Sequence, residues 1–145
     1  MNNVAIDIIK KFEGVRLTAY LCPAGIPTIG YGHTSGVKLG QTITQKQADD
    51  MLLRDIELYE QQILSNIGQK IYLGLSENQK AAIISFVFNI GIGNFSKSTL
   101  KKKLLKLDII GTADEFLKWS FAGGKKLRGL ETRRIAEREL FLRNK

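Results

Sequence analysis

The sequence predicts an α+β fold: a small antiparallel β lobe joined by a long helix to a helical lobe. Three observations carry that expectation. Six of the fourteen glycines and both prolines fall between residues 14 and 40, with the β-formers Thr28, Ile29 and Tyr31 among them. Thr44 with Gln47, and Ser76 with Gln79, read as capping boxes, the mark of a helix start. The stretch AAIISFVFNI after the second box is apolar nearly all round, as in a helix buried at the centre of a bundle.

Taken in order, Val4, Ile8, Ile9 and Phe12 recur at helical spacing, so a short amphipathic helix ends near Phe12–Gly14. The glycine-rich stretch that follows reads as a meander of two or three strands. From Thr44 a long helix runs to about Ile67, with Ala48, Leu52, Ile56, Tyr59 and Ile63 along one stripe. Thr112 with Glu115 reads as a third capping box before Phe116, Leu117 and Trp119. Beyond the Gly123–Gly124 break comes a last helix, about Thr132 to Leu142. The expected layout over 1–145 is one domain: a β lobe at about 14–43, an interlobe helix at about 44–67, and a helical lobe at about 68–145 with helix 1–13 packed on it. A two-lobe domain of this kind holds its site in the cleft between lobes.

The chain's 145 residues make one ordinary domain, and 43% hydrophobic with 25% charged residues supports a real core. No apolar run approaches the length needed to span a bilayer. The net charge is +8. Up to Tyr72 there are seven basic and seven acidic residues, so the whole excess lies in the second half. Such a face attracts a polyanion: nucleic acid, anionic membrane or acidic cell wall. One cysteine, Cys22, excludes an internal disulfide, and one histidine, His33, excludes a His/Cys zinc site. The stretch MNNVAIDIIKKF is not read as a signal peptide, because Asp7 interrupts the apolar run and no small-residue cleavage site follows. The expected starting compartment is therefore the cytoplasm.

The informative stretch is FEGVRLTAYLCPAGIPTIGYGHT, Phe12 to Thr34. Glu13 lies where the first helix ends, facing the negative end of the helix dipole, with apolar Phe12 and Val15 as sequence neighbours. Both influences favour the protonated carboxyl, the form that a general acid must hold. A glycosidase needs such a group to protonate the leaving oxygen of an acetal. Cys22 and Thr28 follow at a spacing of Glu, eight residues, Cys, five residues, Thr.

Glu-x8-Cys-x5-Thr, within FEG-x-R-L-x-A-Y and followed by P-T-I-G-Y-G-H-T, resembles the catalytic signature of phage-type lysozymes, the endolysins of glycoside hydrolase family 24. The likeness extends along most of the chain. Thr42-Ile43-Thr44 with Gln47-Ala48-Asp49, Phe88-Asn89-Ile90-Gly91, and Gly129-Leu130 with Arg133-Arg134 and Glu137 match further family blocks in the right order. The resemblance implies an endo-acting muramidase that hydrolyses the β-1,4 bond between N-acetylmuramic acid and N-acetylglucosamine in peptidoglycan, without metal or organic cofactor. It makes Glu13 the general acid and has Thr28 hold the attacking water. Cys22 takes the place where many members have Asp, as base or electrostatic partner. An ordinary thiol is mostly neutral at pH 7, so this role requires either a lowered thiol or a weaker positioning part. Both inverting and retaining courses stay open.

By the same resemblance, Tyr31, Asn89 and Arg133 are the expected substrate-binding residues, with Asn89 otherwise serving as a helix cap and Arg133 approaching the acid across the cleft. His33 resembles a structural residue that pairs with Asp55, and not an acid or base. Gly25, Gly30, Gly32 and Gly36 form no phosphate loop and read as turn glycines. The runs at Lys101–Lys103, Lys125–Arg128 and Arg133–Arg134 lack a nucleic-acid recognition motif. The expected partners are peptidoglycan strands, with no nucleic acid and no stable membrane insertion, for a monomer that needs a holin to reach the wall from the cytoplasm. The family's latch by a second cysteine has no counterpart in a one-cysteine chain. Two rivals remain to be distinguished: a lytic transglycosylase, which the water-holding Thr28 disfavours, and a cationic protein that binds envelopes by charge alone.

Overall fold

Asn2 caps the first helix: its Oδ1 accepts from the backbone amide of Ala5 at 3.0 Å in the computed structural model, which describes residues 2–143. That helix, α1 (Asn3–Glu13), stops because Gly14 takes a left-handed φ of 66° while its amide still donates to Lys10 O. The described chain forms two compact units, one of Ile6–Leu58 and the other of residues 59–143 with residues 2–5.

In the first unit, β1 (Arg16–Leu21) pairs antiparallel with β2 (Pro27–Gly30), with Tyr20 opposite Thr28, Leu21 opposite Pro27, and a bulge between Arg16 and Tyr20. Pro23, Ala24 and Gly25 make the hairpin loop, closed by Cys22 and Ile26. Gly25 N donates to Cys22 O at 2.8 Å, Cys22 N donates to Ile26 O at 3.0 Å, and Gly25 sits at φ 77°. This is a proline-led turn followed by a left-handed glycine, the usual solution for a three-residue hairpin loop. Residues 41–43 add a third, short strand-like segment, with Ala19 N donating to Gln41 O and Ile43 N to Leu17 O, both at 2.9 Å. The capping box at Thr44 forms as the sequence predicts, and α2 (Gln45–Ile67) follows from it. Ile9, Ile29, Tyr31, Val37, Ala48, Leu52 and Ile56 make the buried core of this unit.

The second unit is helical: α3 (Gln69–Gly74), α4 (Glu77–Ile90), α5 (Ile92–Lys97), α6 (Thr99–Leu105) and α7 (Ile109–Phe116) come first. A 3₁₀ turn at Leu117–Trp119, the hairpin β3 (Phe121–Ala122) and β4 (Lys125–Lys126), and α8 (Arg128–Leu142) complete it. Both halves of the Ser76 capping box are made. Residues 81–87 are fully buried, and α4 packs on α8 and α5. The all-round apolar pattern of α4 thus has its physical cause in a central position. Phe86 meets Phe116 and Trp119 edge-on, with centroids 5.1 and 5.7 Å away.

Two elements differ from expectation. Thr112 does not open a helix. Asp108 does so four residues earlier, its Oδ1 accepting from Gly111 N at 2.9 Å, while Thr112 is buried inside α7 and donates to Asp108 O. The glycine at 111 is what permits this, because a Cβ there would lie 2.1 Å from Asp108 Oδ2. Glu115 is no capping partner either. It is buried and held by Lys103 Nζ at 3.0 Å and Lys118 Nζ at 2.7 Å. Burial pushes its carboxyl up, but the two lysines together prevail and hold it below the usual carboxylate range.

The last helix starts at Arg128 and not near Thr132. Gly123 and Gly124, both at positive φ, close a two-residue hairpin turn that returns the chain directly into α8. The sequence reading also passed over α3, α5 and α6. At six or seven residues each, they are too short to display a helical period.

Candidate active site

Glu13 is the last residue of α1, partly exposed and three residues before β1. Cys22 closes β1 at the hairpin loop, and Thr28 is the second residue of β2. In the hairpin Thr28 lies opposite Tyr20, two residues before Cys22 and so diagonal to it, and the Thr28 hydroxyl is one of the groups acting on the thiol. The loop sets the electrostatics of the sulfur. The backbone at Ile26 lowers the Cys22 thiol most; slight burial opposes it, and the backbone at Ala24 and the Thr28 hydroxyl lower it further. The net position is below that of an ordinary thiol. Thr28 is itself buried, and its Oγ1 donates to Ile26 O at 2.8 Å.

Tyr31, nearly buried, follows Gly30, and its hydroxyl accepts from Gln45 Nε2 at 3.1 Å. Gln45 also donates to Asp49 Oδ1 at 3.0 Å, one turn along α2. Lys10 of α1 closes the group, 3.3 Å from Asp49 Oδ1 and 5.5 Å from the Tyr31 ring centroid. The Gln45 amide, then Lys10 and Tyr31, hold the Asp49 carboxyl below its ordinary value against a small burial effect. Within this unit the network ties the last turn of α1, which carries Glu13, to α2 and to the residue after β2. The sequence reading placed Tyr31 at the substrate and missed this arrangement. Its only sequence sign was the i,i+4 pairing of Gln45 with Asp49.

His33 Nδ1 lies 2.8 Å from Asp55 Oδ2, and Nε2 lies 3.1 Å from Ser35 O. Both ring nitrogens face acceptor oxygens, so the ring ties the 33–35 turn to α2 and has no nitrogen left for moving a proton. His33→Asn should therefore cost about 1–2 kcal/mol of stability through the lost charge-assisted hydrogen bond and leave kcat unchanged. Denaturant unfolding beside a turnover assay checks both; a fall in kcat without loss of stability would make the histidine catalytic.

Asn89 and Arg133 belong to the helical unit. Asn89, exposed near the end of α4, accepts at Oδ1 from Arg134 Nη2 at 3.0 Å. It is not the helix cap, since the Gly91 amide donates to Val87 O in that role. Arg133 is almost buried on α8, where Nε and Nη2 donate to Ser85 and Nε also to Glu137 Oε2 at 3.3 Å. Among the described residues, no three His, Cys, Asp or Glu side chains gather as a metal site, and no helix is long and apolar enough to cross a membrane.

A carboxyl at a helix end and a hairpin that sets a lowered thiol near a buried hydroxyl are what this α+β chain offers for acid–base chemistry. Comparison with known proteins names the class, a lysozyme-type glycoside hydrolase. Residues 10–137 match the family described as phage lysozyme. The endolysin of Acyrthosiphon pisum secondary endosymbiont phage 1 is 47% identical over 138 residues, 92% of either chain. The SAR-endolysin of Bacteriophage PS34 is 39% identical over 90% of this chain and 76% of its own. Among solved structures, the muramidase domain of SpmX from Asticaccaulis excentricus superposes with a TM-score of 0.86 at 31% identity, over 97% of this chain and 95% of that one. The chain belongs to the phage lysozyme family and is a muramidase, a peptidoglycan-hydrolysing endolysin.

Proposed function

We propose that this endolysin cleaves the β-1,4 bond between N-acetylmuramic acid and N-acetylglucosamine with Glu13 as general acid, Cys22 as thiolate and Thr28 as the water holder. The observation that carries this reading is the hairpin itself, where the backbone at Ile26 and Ala24 and the Thr28 hydroxyl all lower the Cys22 thiol. Glu13 gives its proton to the glycosidic oxygen as the C1–O bond breaks. Water attacks C1 and passes a proton to the Cys22 sulfur, so the pair ends as carboxylate and thiol. Solvent then restores both. Thr28 has one hydroxyl proton, and donation to Ile26 O leaves its lone pairs to accept from the attacking water. Before the reaction the same proton can instead turn to the thiolate, which is how the hydroxyl lowers the thiol.

In this reading the two units are lobes of a single lysozyme-like domain. Asn89 offers its amide hydrogens to sugar oxygens, Arg133 supplies positive charge, and Tyr31 contributes by holding its part of the β lobe beside α2. The protein works as a monomer on an anionic wall, with its cationic half serving that substrate and not nucleic acid. It waits in the host cytoplasm until a holin opens the way to the wall. Mass spectrometry of released muropeptides tests the reaction: reducing ends are expected, and 1,6-anhydro ends would make the enzyme a transglycosylase.

Cys22→Ala, or alkylation with iodoacetamide, should abolish lysis, at least about a 100-fold loss for a missing proton acceptor. Lysis by the unmodified enzyme should need the deprotonated thiol. It is therefore present above the Cys22 pKa and lost as pH falls through it, with a midpoint below that of an ordinary thiol. Unchanged lysis after alkylation would remove Cys22 from the mechanism.

A further inference from the structure

We propose that Glu137 is a positioning residue for this reaction: one buried carboxylate that orients Arg133 directly and Asn89 through Arg134. The inference rests on the reading of Asn89 and Arg133 as substrate-binding residues and deepens it.

Spacing on α8 makes the hub. Positions 133 and 134 lie four and three residues before 137, so both guanidiniums reach a single carboxylate. Arg133 Nε is 3.3 Å from Glu137 Oε2, and Arg134 Nε is 2.8 Å from Oε1. From α4, Ser85 Oγ donates to Glu137 Oε2 at 2.6 Å, and Ser85 O accepts from Arg133 Nη2 at 3.1 Å. Glu137 and Arg134 are wholly inaccessible. Neither can touch a polymeric glycan in this arrangement, yet Arg134 ends on the exposed Asn89.

The chemistry of that last contact is specific. An arginine can only donate, so Asn89 must present Oδ1 to it, and the amide hydrogens become the side left for substrate. Acetamido and hydroxyl oxygens of the glycan need donors. Without Arg134 in place, the amide is free to flip and offer its oxygen instead. A buried ion cluster is a poor source of net stability, because well-packed apolar side chains replace such clusters at little cost. Orientation of an exposed donor is something apolar packing does not supply.

The test measures kcat and KM on soluble, uncrosslinked glycan strands, with thermal unfolding beside each assay. Glu137→Gln should raise KM about five- to tenfold, the scale of one lost charge-assisted hydrogen bond, and change kcat less than about twofold. Asn89→Ala should raise KM likewise, and the double variant should be no worse than Glu137→Gln alone, because the Asn89 contact is already lost there. Ser85→Ala, which deletes only a hydroxyl, should raise KM in the same direction and serves as the reading if Glu137→Gln fails to fold. Unchanged KM in a folded Glu137→Gln, or in Ser85→Ala where that stands in, overturns the positioning role, as do additive effects with Asn89→Ala. A KM unaffected by Asn89→Ala overturns the substrate-contact reading itself and the proposal with it.

Discussion

Replacing Glu13 with Gln should lower glycan cleavage by at least about 100-fold in protein that still unfolds cooperatively. The amide has the shape of the carboxyl and cannot deliver a proton to the glycosidic oxygen. Glu13 occupies the last turn of α1, where a negative charge opposes the helix dipole, so neutralising it also removes a small repulsion from that helix end. Muropeptide release and thermal unfolding, measured on one preparation, report the two effects separately. The same variant distinguishes the enzyme from a cationic protein that disrupts envelopes by charge. Charge-driven disruption would survive Glu13→Gln and disappear at high salt. Full turnover by Glu13→Gln would move the general acid elsewhere.

The largest effect on stability is expected at Phe86→Ala, about 3–5 kcal/mol out of a total of roughly 5–15 for a domain of this kind. Phe86 is fully buried on α4, edge-on to Phe116 of α7 and to Trp119, and the Arg134 guanidinium lies 5.0 Å from its centroid. Truncation leaves a cavity at the point where α4, α7 and the 3₁₀ turn meet, and removes the ring face that Arg134 covers. Denaturant unfolding should show a midpoint shift of that size. Lysis should persist at low temperature and be lost on warming, since the chemistry at the hairpin is untouched. A shift under about 1 kcal/mol would mean that the neighbouring rings close the cavity by repacking.

Long, well-capped elements were readable in the sequence, and short ones were not. α2 and α4 announce themselves through capping boxes and through runs of three or more turns, enough to display a period. The hairpin at Gly123–Gly124 and the helices α3, α5 and α6 each hold seven residues or fewer and carry no period to read. At Thr112 a local signature pointed to the wrong place, because Asp108 with a glycine three residues on competes for the same helix start and wins. At the candidate site, the spacing of Glu13, Cys22 and Thr28 was visible. The lowered thiol was not, since it depends on where a three-residue loop aims backbone groups.

Sequence alone therefore determined the α+β order of the main elements and put forward three candidate side chains, because apolar period, capping and spacing are local properties. It also determined that Cys22 stands alone as a thiol. Tertiary structure decided how those groups are tuned and held. The hairpin turn lowers Cys22, the Lys10–Asp49–Gln45–Tyr31 network ties α1 to α2, and Glu137 gathers two arginines with Ser85 from 52 residues away. Each of these needs groups distant in the chain, or a particular backbone conformation, before any interaction exists to be read.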